Sequence, residues 1–419
     1  MKVLWLCNGP TTAAAEQLQN ARGIGWIDGA LAGIRNGHDA EVAVCFPYKG
    51  TKELTEGKAD GIRFWCVPAS PLKPHKYWKP YEKYFTEILQ KYQPDIIHIW
   101  GTEYSHTLAM IRAAQEKEKT VVSIQGLCSI LVQHYYAGIS LMDRIKITPR
   151  DIVRGDSMIR QRKRFVFRGK NETEALKQVS NVIGRTDWDK ACVKRINSDI
   201  HYYHCNETLR DCFYHSEWKY ENCSKHTIFS SQSFYPVKGF HLLLQALPDI
   251  LKEYPDTIVY TTGTDPRDKS IIHLTSYDQY IRKLIKRNHL EGHIKYLGYQ
   301  NQAQMVERYL DANVFVLPSS IENSPNSLGE AMLIGTPCVA ADVGGVSNFI
   351  THKEDGYTYQ SDAPYMMAYF IKMIFEEERN VMELSQKARC KAGAIYDQKK
   401  NAEELMRIYG HVLSKMDNR

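Results

Sequence analysis

Residues 314–345 read VFVLPSSIENSPNSLGEAMLIGTPCVAADVGG. An apolar run ends at Pro318, and residues 319–326 form a loop rich in Ser, Asn and Pro. Ser327 followed three residues on by Glu330 has the spacing of a capping box, so a helix is expected to begin there and run to about residue 334. Gly335 supplies the stop, Pro337 prevents continuation, and residues 338–341 give the next buried strand. The stretch is therefore strand–loop–helix–strand. Its loop lies at the carboxyl end of a parallel strand, where open α/β sheets bind ligands.

Two acids eight residues apart flank that loop, Glu322 within it and Glu330 in the first helical turn. A helix N-terminus offers free amides and partial positive charge to a phosphate, here through Asn326, Ser327 and Leu328. Carboxylates beside a phosphate repel it but are strong acceptors for sugar hydroxyls. Either acid alone reads as an ordinary capping or solvated residue. The two together around one loop describe a phosphate with a sugar on each side, a nucleotide sugar.

Outward from this stretch, short apolar runs alternate with amphipathic ones. Strands are expected at 3–7, 42–46, 96–100, 121–124 and 182–184, and again at 227–229, 258–262, 294–297, 314–317 and 338–341. Helices lie between them, for example 240–252, 277–287 and 304–312. Val- and Ile-rich strands separated by helices argue for parallel sheets of βαβ units. The series occurs twice, so the 419 residues are expected to form two doubly wound Rossmann-like domains. The aromatic, polar stretch 201–226 between them lacks clear period and holds the boundary. The amphipathic helix of the last residues lies beyond the final strand.

Here the chain resembles the retaining GT-B glycosyltransferases of family 4 (glycosyl transferases group 1, the bacterial polysaccharide type). The resemblance rests on E-x7-E before a helix ending in G-T-P, followed by a strand and a Gly-Gly turn. YPVKGFHLLLQALPDI (235–250) is similar to the family's Lys-Gly segment, YLGY (296–299) to its Leu-Gly turn, and PDIIHIWGTEYSH (94–106) to its first domain. The resemblance implies two Rossmann-like domains facing across a cleft. Residues 1–205 would form an N-terminal acceptor domain completed by helix 401–419, 206–226 a linker, and 227–400 the nucleotide-sugar domain. It also implies a retaining hexosyltransferase, working on a UDP- or GDP-hexose and a saccharide or lipid-linked acceptor, in polysaccharide or glycolipid synthesis. Glu322 would meet the donor hexose, Glu330 the ribose and Lys238 the pyrophosphate. A glycine after the first strand admits the donor phosphate, and Gly25 in GIGWIDGAL matches best. No cofactor or metal is implied.

Two departures stand out. Where the family carries an Arg five or six residues before the Lys, this chain has Gln232 and Ser233; where it has V-H-G, this chain reads SIQG, with Gln125 in place of His. Arg185, at the end of a first-domain strand, is a candidate substitute cation, or else a surface ion pair with Asp187 or Asp189. Glu103 and His106, just past strand 96–100, are acceptor-side candidates together with Gln125, or residues of a helix start. Two other readings stay open: a GT-B nucleotide-sugar epimerase, and a non-catalytic nucleotide-sugar-binding subunit suggested by the missing Arg and His.

Composition narrows the setting. With 43% hydrophobic and 24% charged residues the chain is ordinary for a globular protein. No segment reaches the ~18 apolar residues that span a bilayer. Ten scattered cysteines do not read as a disulfide framework, which suits a reducing cytoplasm. Cys212-x2-His215 and Cys223-x2-His226 have the look of metal knuckles, but seven residues between them is short for zinc. Residues 141–170 hold ten Lys/Arg against three Asp. That stretch is either a solvated helical face or a patch for a phosphate-bearing substrate or an anionic membrane at the inner face of the cell, with Tyr77, Trp78 and Tyr81 as candidate interfacial anchors. No nucleic-acid motif accompanies it.

Overall fold

The computed structural model describes every residue except Asn36, Pro74, Asn418 and Arg419. The chain divides into two compact units: Met1–Val132 with Arg164–Arg210 and Tyr396–Arg419, and Gln133–Lys163 with Asp211–Ile395.

Among the described residues the first unit is built on strands β1 (Lys2–Leu6), β2 (Glu41–Tyr48), β3 (Thr55–Ala59), β4 (Ile62–Pro68), β5 (Ile96–Trp100), β6 (Thr120–Ser123), β7 (Asn181–Gly184) and β8 (His201–His204). They form one sheet in the order β3-β4-β2-β1-β5-β6-β7-β8. All neighbours pair in parallel except β3 and β4. The opening KVLWLC shows why the central strands are apolar throughout. Leu4 and Leu6 enter one core while Val3, Trp5 and Cys7 enter the other, so both faces of the sheet are covered. Among the described residues three strands of this sheet lie outside the sequence expectation: β3, β8 and the internal, buried β4 (IRFWCVP). TEGKA (β3) and HYYH (β8) are edges, where unpaired backbone and charge replace apolar runs.

The helix Gln398–Asp417 closes this unit. The Tyr409 hydroxyl accepts from Trp5 Nε1 at 3.1 Å and meets His98 Nδ1 at 2.6 Å, and His98 Nε2 lies 2.7 Å from Ser123 Oγ. Burial lowers the His98 pKa to about 3, so the ring is neutral and this thread carries no charge. Tyr77, Trp78 and Tyr81 pack against the core of the unit instead of projecting as anchors.

The second unit holds β9 (Ser224–Ser230), β10 (Ile258–Thr261), β11 (Ile294–Tyr296), β12 (Ala312–Leu317), β13 (Cys338–Ala341) and β14 (Tyr357–Tyr359), all parallel, in the order β11-β10-β9-β12-β13-β14. Counted from its own first strand this is 3-2-1-4-5-6, the doubly wound order, with its switch point between β9 and β12.

One boundary differs from the expectation. Residues 133–163 fall in the second unit, although the sequence reading places 1–205 whole in the first. Polar side chains explain it. Thr148 Oγ1 donates to the Leu274 carbonyl at 2.6 Å, and Asp151 accepts from the Ser276 amide at 3.1 Å. Lys283 Nζ reaches Asp143 at 2.9 Å. The segment is tied to the start and outer face of the helix Ser276–Arg287. The aromatic stretch 201–226 is likewise divided: β8 belongs to the first sheet, and the chain re-enters the second unit at Asp211.

Candidate functional site

β12 ends at Leu317, the loop crosses residues 318–325, and the helix Asn326–Ile334 follows, stopped by Gly335 in the left-handed region. The loop runs past the carboxyl end of β12, on one side of the switch point. From the other side, after β9, comes the short turn Pro236–Lys238. Lys238 Nζ donates to Glu322 Oε1 at 2.7 Å, and Ser319 Oγ donates to the same oxygen at 2.7 Å. Burial alone would push the Lys238 pKa down, but Glu322 beside it more than offsets this, so the ammonium stays charged. Their side chains keep 18% and 11% of their surface, so the pair is held by the protein while some of it still meets solvent.

Two glycines fix the loop. Gly239 has φ +67°, and a Cβ there would sit 1.7 Å from the Pro318 carbonyl oxygen. Gly344 has φ +57°, and a Cβ would sit 1.9 Å from the Glu322 carbonyl oxygen. Gly345 N–H then donates to that same carbonyl at 3.0 Å, and Ser320 N–H donates to Val237 at 2.8 Å. The Lys-Gly segment and the Gly-Gly turn, separate in sequence, thus clamp one loop between them.

Glu330 takes a different local role from the one its spacing suggests. The helix is capped by Pro325 without a side-chain hydrogen bond, so Ser327 and Glu330 form no capping box. Proline at that position starts the helix one residue early. Glu330 is buried, and the Tyr309 hydroxyl lies 3.1 Å from its Oε2 and 3.0 Å from the Ser327 carbonyl. The amides divide as well. Leu328 N–H is already used, donating to Pro325 at 3.0 Å. Asn326 and Ser327 are the first two helical residues, whose N–H groups have no intrahelical acceptor. Ser233 stands where the family cation is missing, and its Oγ donates to the Thr262 carbonyl at 3.0 Å.

In the first unit the remaining candidates line the carboxyl ends of successive strands. The switch point there lies between β1 and β5. His106 Nε2 spans it to Asn8 Oδ1 at 2.9 Å, and burial lowers the His106 pKa to about 3, with Arg168 acting in the same direction. Glu103 follows β5; burial raises its carboxyl pKa, and its Oε2 is buried without a hydrogen-bond partner. Glu172, which the sequence reading missed, accepts from Cys128 N–H at 2.8 Å, Ser129 N–H at 3.0 Å and Thr102 Oγ1 at 3.0 Å. Burial lifts its pKa to about 7 despite these donors.

Arg185, after β7, is not a surface residue paired to Asp187 or Asp189. It is 5% exposed and forms a buried ion pair with Glu207, with Nη2 also donating to the Ile124 carbonyl. Gln125 Nε2 donates to the same Glu207 at 2.5 Å. The guanidinium and carboxylate line a small pocket with Trp26 and Trp100. Asp189 instead caps the helix Asp187–Ile196 and accepts the Arg185 amide at 2.9 Å. Gly25 opens the helix Gly25–Arg35, but the close backbone approach belongs to Gly23, where a Cβ would lie 2.4 Å from Thr12 Cα.

The suspected knuckles find other partners. His226 Nδ1 meets Asp256 at 2.9 Å, His215 meets Asp211 at 3.1 Å, and Cys223 donates to the Tyr220 carbonyl at 3.2 Å. Among the described residues no group of three or more His, Cys, Asp or Glu is arranged to hold a metal ion.

Residues 218–391, most of the second unit, match the family model described as Glycosyl transferases group 1. The amylovoran biosynthesis glycosyltransferase of Erwinia amylovora is 27% identical over 168 residues, 38% of this chain and 39% of that protein. The chain spans less than half the length of the curated relatives it matches. Among solved structures, sucrose-phosphate synthase from Thermosynechococcus elongatus superposes with a TM-score of 0.72 at 16% identity, covering 99% of this chain and 100% of that one. An Anabaena protein solved with UDP-glucose superposes at 0.67 with 14% identity, covering 98% and 100%. These likenesses establish the fold as GT-B, with two Rossmann-like units.

Proposed function

We propose that the protein is a glycosyltransferase that moves a hexose from a nucleotide sugar to a hydroxyl of a saccharide or lipid-linked acceptor, with retention at the anomeric carbon. The observation that carries this reading is the Lys238–Glu322 pair at the switch point of the unit that matches the family model. Lys238 supplies positive charge where a departing diphosphate needs it, and the free amides of Asn326 and Ser327 add to it. Glu322, held by Ser319, accepts hydroxyls of the donor hexose, and Glu330 those of the ribose. The bond from the anomeric carbon to the diphosphate breaks as the acceptor oxygen bonds to that carbon, and the acceptor proton passes to the departing phosphate. That route needs no enzyme nucleophile and no metal. Glu103, His106 and Gln125 belong to the acceptor side of this reading, in a protein working in the cytoplasm.

UDP-glucose is the first donor to test, because the Anabaena structure was solved with it; GDP- and ADP-sugars follow. Bound donor raises the melting temperature by mass action. Glu330→Gln is expected to weaken donor binding, and Glu322→Gln to slow transfer, each by roughly ten- to a hundredfold. Unchanged kinetics in both variants overturn the reading. Donor binding without transfer or hydrolysis points to a binding subunit, and acceptor-free conversion of the donor to an epimer.

A further inference from the structure

The segment 141–154 is inside out. Its polar side chains face the protein: Asp151 is 1% exposed, Thr148 3% and Asp143 8%. Its aliphatic side chains face outward: Leu141 and Met142 are each 68% exposed, Ile152 71% and Val153 86%. The inversion is built, since Asp143, Thr148 and Asp151 make the bonds that tie the segment to the helix Ser276–Arg287 and to Leu274. Ile271 and Ile272 extend the apolar surface, and they too are exposed. Their turn, Ile271–His273, packs on the helix Pro149–Arg154, and Arg150 Nη1 donates to the His273 carbonyl at 3.0 Å.

A soluble surface rarely shows so many aliphatic groups together without a purpose. The charges around them say what covers the patch. Of the cations in this stretch, Arg144 and Arg162 lie over the Tyr136 ring, and Arg150 pairs with Asp156. Lys146 pairs with Asp143 at 3.1 Å yet stays exposed, as do Arg154, Arg160 and Lys163. Aliphatic side chains interleaved with exposed Lys and Arg match a layer that is anionic at its surface and hydrocarbon beneath. A single-stranded nucleic acid would instead ask for aromatic platforms among the cations, and the outward groups here are aliphatic.

We propose that this face of the second unit docks on an anionic lipid bilayer. Ile152, Val153, Leu141 and Met142 enter the acyl boundary, and the four exposed cations hold lipid phosphates. The inference stands on the surface alone and is independent of any transfer activity.

The test is flotation of the full chain with vesicles of phosphatidylcholine plus phosphatidylglycerol, against pure phosphatidylcholine, at low and high salt. Binding is expected to the anionic vesicles and to weaken with salt. Replacing Lys146, Arg154, Arg160 and Lys163 by Gln should lower partitioning by roughly fivefold for each cation engaged. Ile152→Ser with Val153→Ser should lower it about tenfold or more while leaving the melting temperature unchanged, because both side chains are already in water. No flotation with anionic vesicles at low salt overturns the proposal. So does equal flotation of the double serine variant, which would make the contact purely electrostatic. A concentration-dependent dimer that the double variant abolishes, with no lipid binding, would overturn it and assign the face to a second copy of the chain.

Discussion

Each unit places one cation–carboxylate pair at the carboxyl end of its sheet, Arg185–Glu207 in the first and Lys238–Glu322 in the second. The first pair keeps 5% of each side chain exposed, the second 18% and 11%. Arg185 and Glu207 also share bonds with the Ile124 carbonyl and Gln125. Lys238 and Glu322 have Ser319 as the third member and lie beside a helix start with two uncommitted amides. A sealed ion pair has already given up its solvent. A pair that water still reaches can trade its partner for a ligand. Only the second pair lies at its sheet's switch point; the first follows β7 and the edge strand β8, and the two differ in how far water reaches them.

The largest expected effect tests the sealed pair. Glu207→Ala leaves a buried guanidinium without its carboxylate and should cost about 3–5 kcal/mol in urea denaturation. The double replacement Arg185→Met with Glu207→Leu should recover most of that loss. A Glu207→Ala chain of normal stability that has lost transfer would break the comparison and move Arg185 into the chemistry.

Next comes a pH effect in the same unit. Glu172 titrates near 4.5 when unfolded and at about 7 when folded, because burial disfavours its charge. The folded chain therefore binds the proton more tightly. Stability is greatest below the unfolded value and falls as pH rises toward 7, by on the order of 3 kcal/mol. Glu103, raised in the same direction by burial, adds to the trend. Denaturation midpoints from pH 4.5 to 8 check this, and Glu172→Gln should flatten the curve. A flat curve in the parent chain would show that water reaches Glu172.

The open pair should respond in function more than in stability. Lys238→Ala is expected to cut donor binding or turnover about ten- to a hundredfold. Unfolding should change by less than in Glu207→Ala, since Glu322 keeps the Ser319 bond and contact with water. A Lys238→Ala chain that unfolds as readily as Glu207→Ala would erase the distinction between the pairs. The smallest effect belongs to Ser319→Ala, which loses one hydrogen bond worth about 1 kcal/mol, roughly fivefold in the step that depends on Glu322. An unaffected Ser319→Ala would show that Lys238 alone orients the carboxylate.

Legibility in the sequence followed the range of the signal. All ten strands expected from the sequence are present, because a strand covered on both faces must be apolar along its length, as in KVLWLC. Edge strands such as TEGKA and HYYH carry no such constraint and lie outside the expectation; so does the internal, buried IRFWCVP, because a short apolar run cannot be told from a buried helix segment by periodicity alone. Within the site, the loop, the helix after it and Gly335 could be read locally. Tyr309 and Glu172 could not, because their bonds reach 18 or more residues along the chain; Ser319, three residues from Glu322, lay within local range.

The sequence by itself determined the alternation of buried strands with helices, and with it two doubly wound units, since periodicity and glycine or proline punctuation act within a few residues. It also placed Glu322 and Glu330 around the polar loop, while Lys238 comes to that loop only through the family resemblance and the tertiary contact. Only the tertiary structure decided that Pro325 starts the helix in place of a Ser327 cap, that Arg185 is sealed against Glu207, and that residues 133–163 belong to the second unit. Each of those outcomes depends on burial and on partners far away in the chain. Whether a cation serves the fold or a ligand is set by the water left around it, which no local pattern of residues specifies.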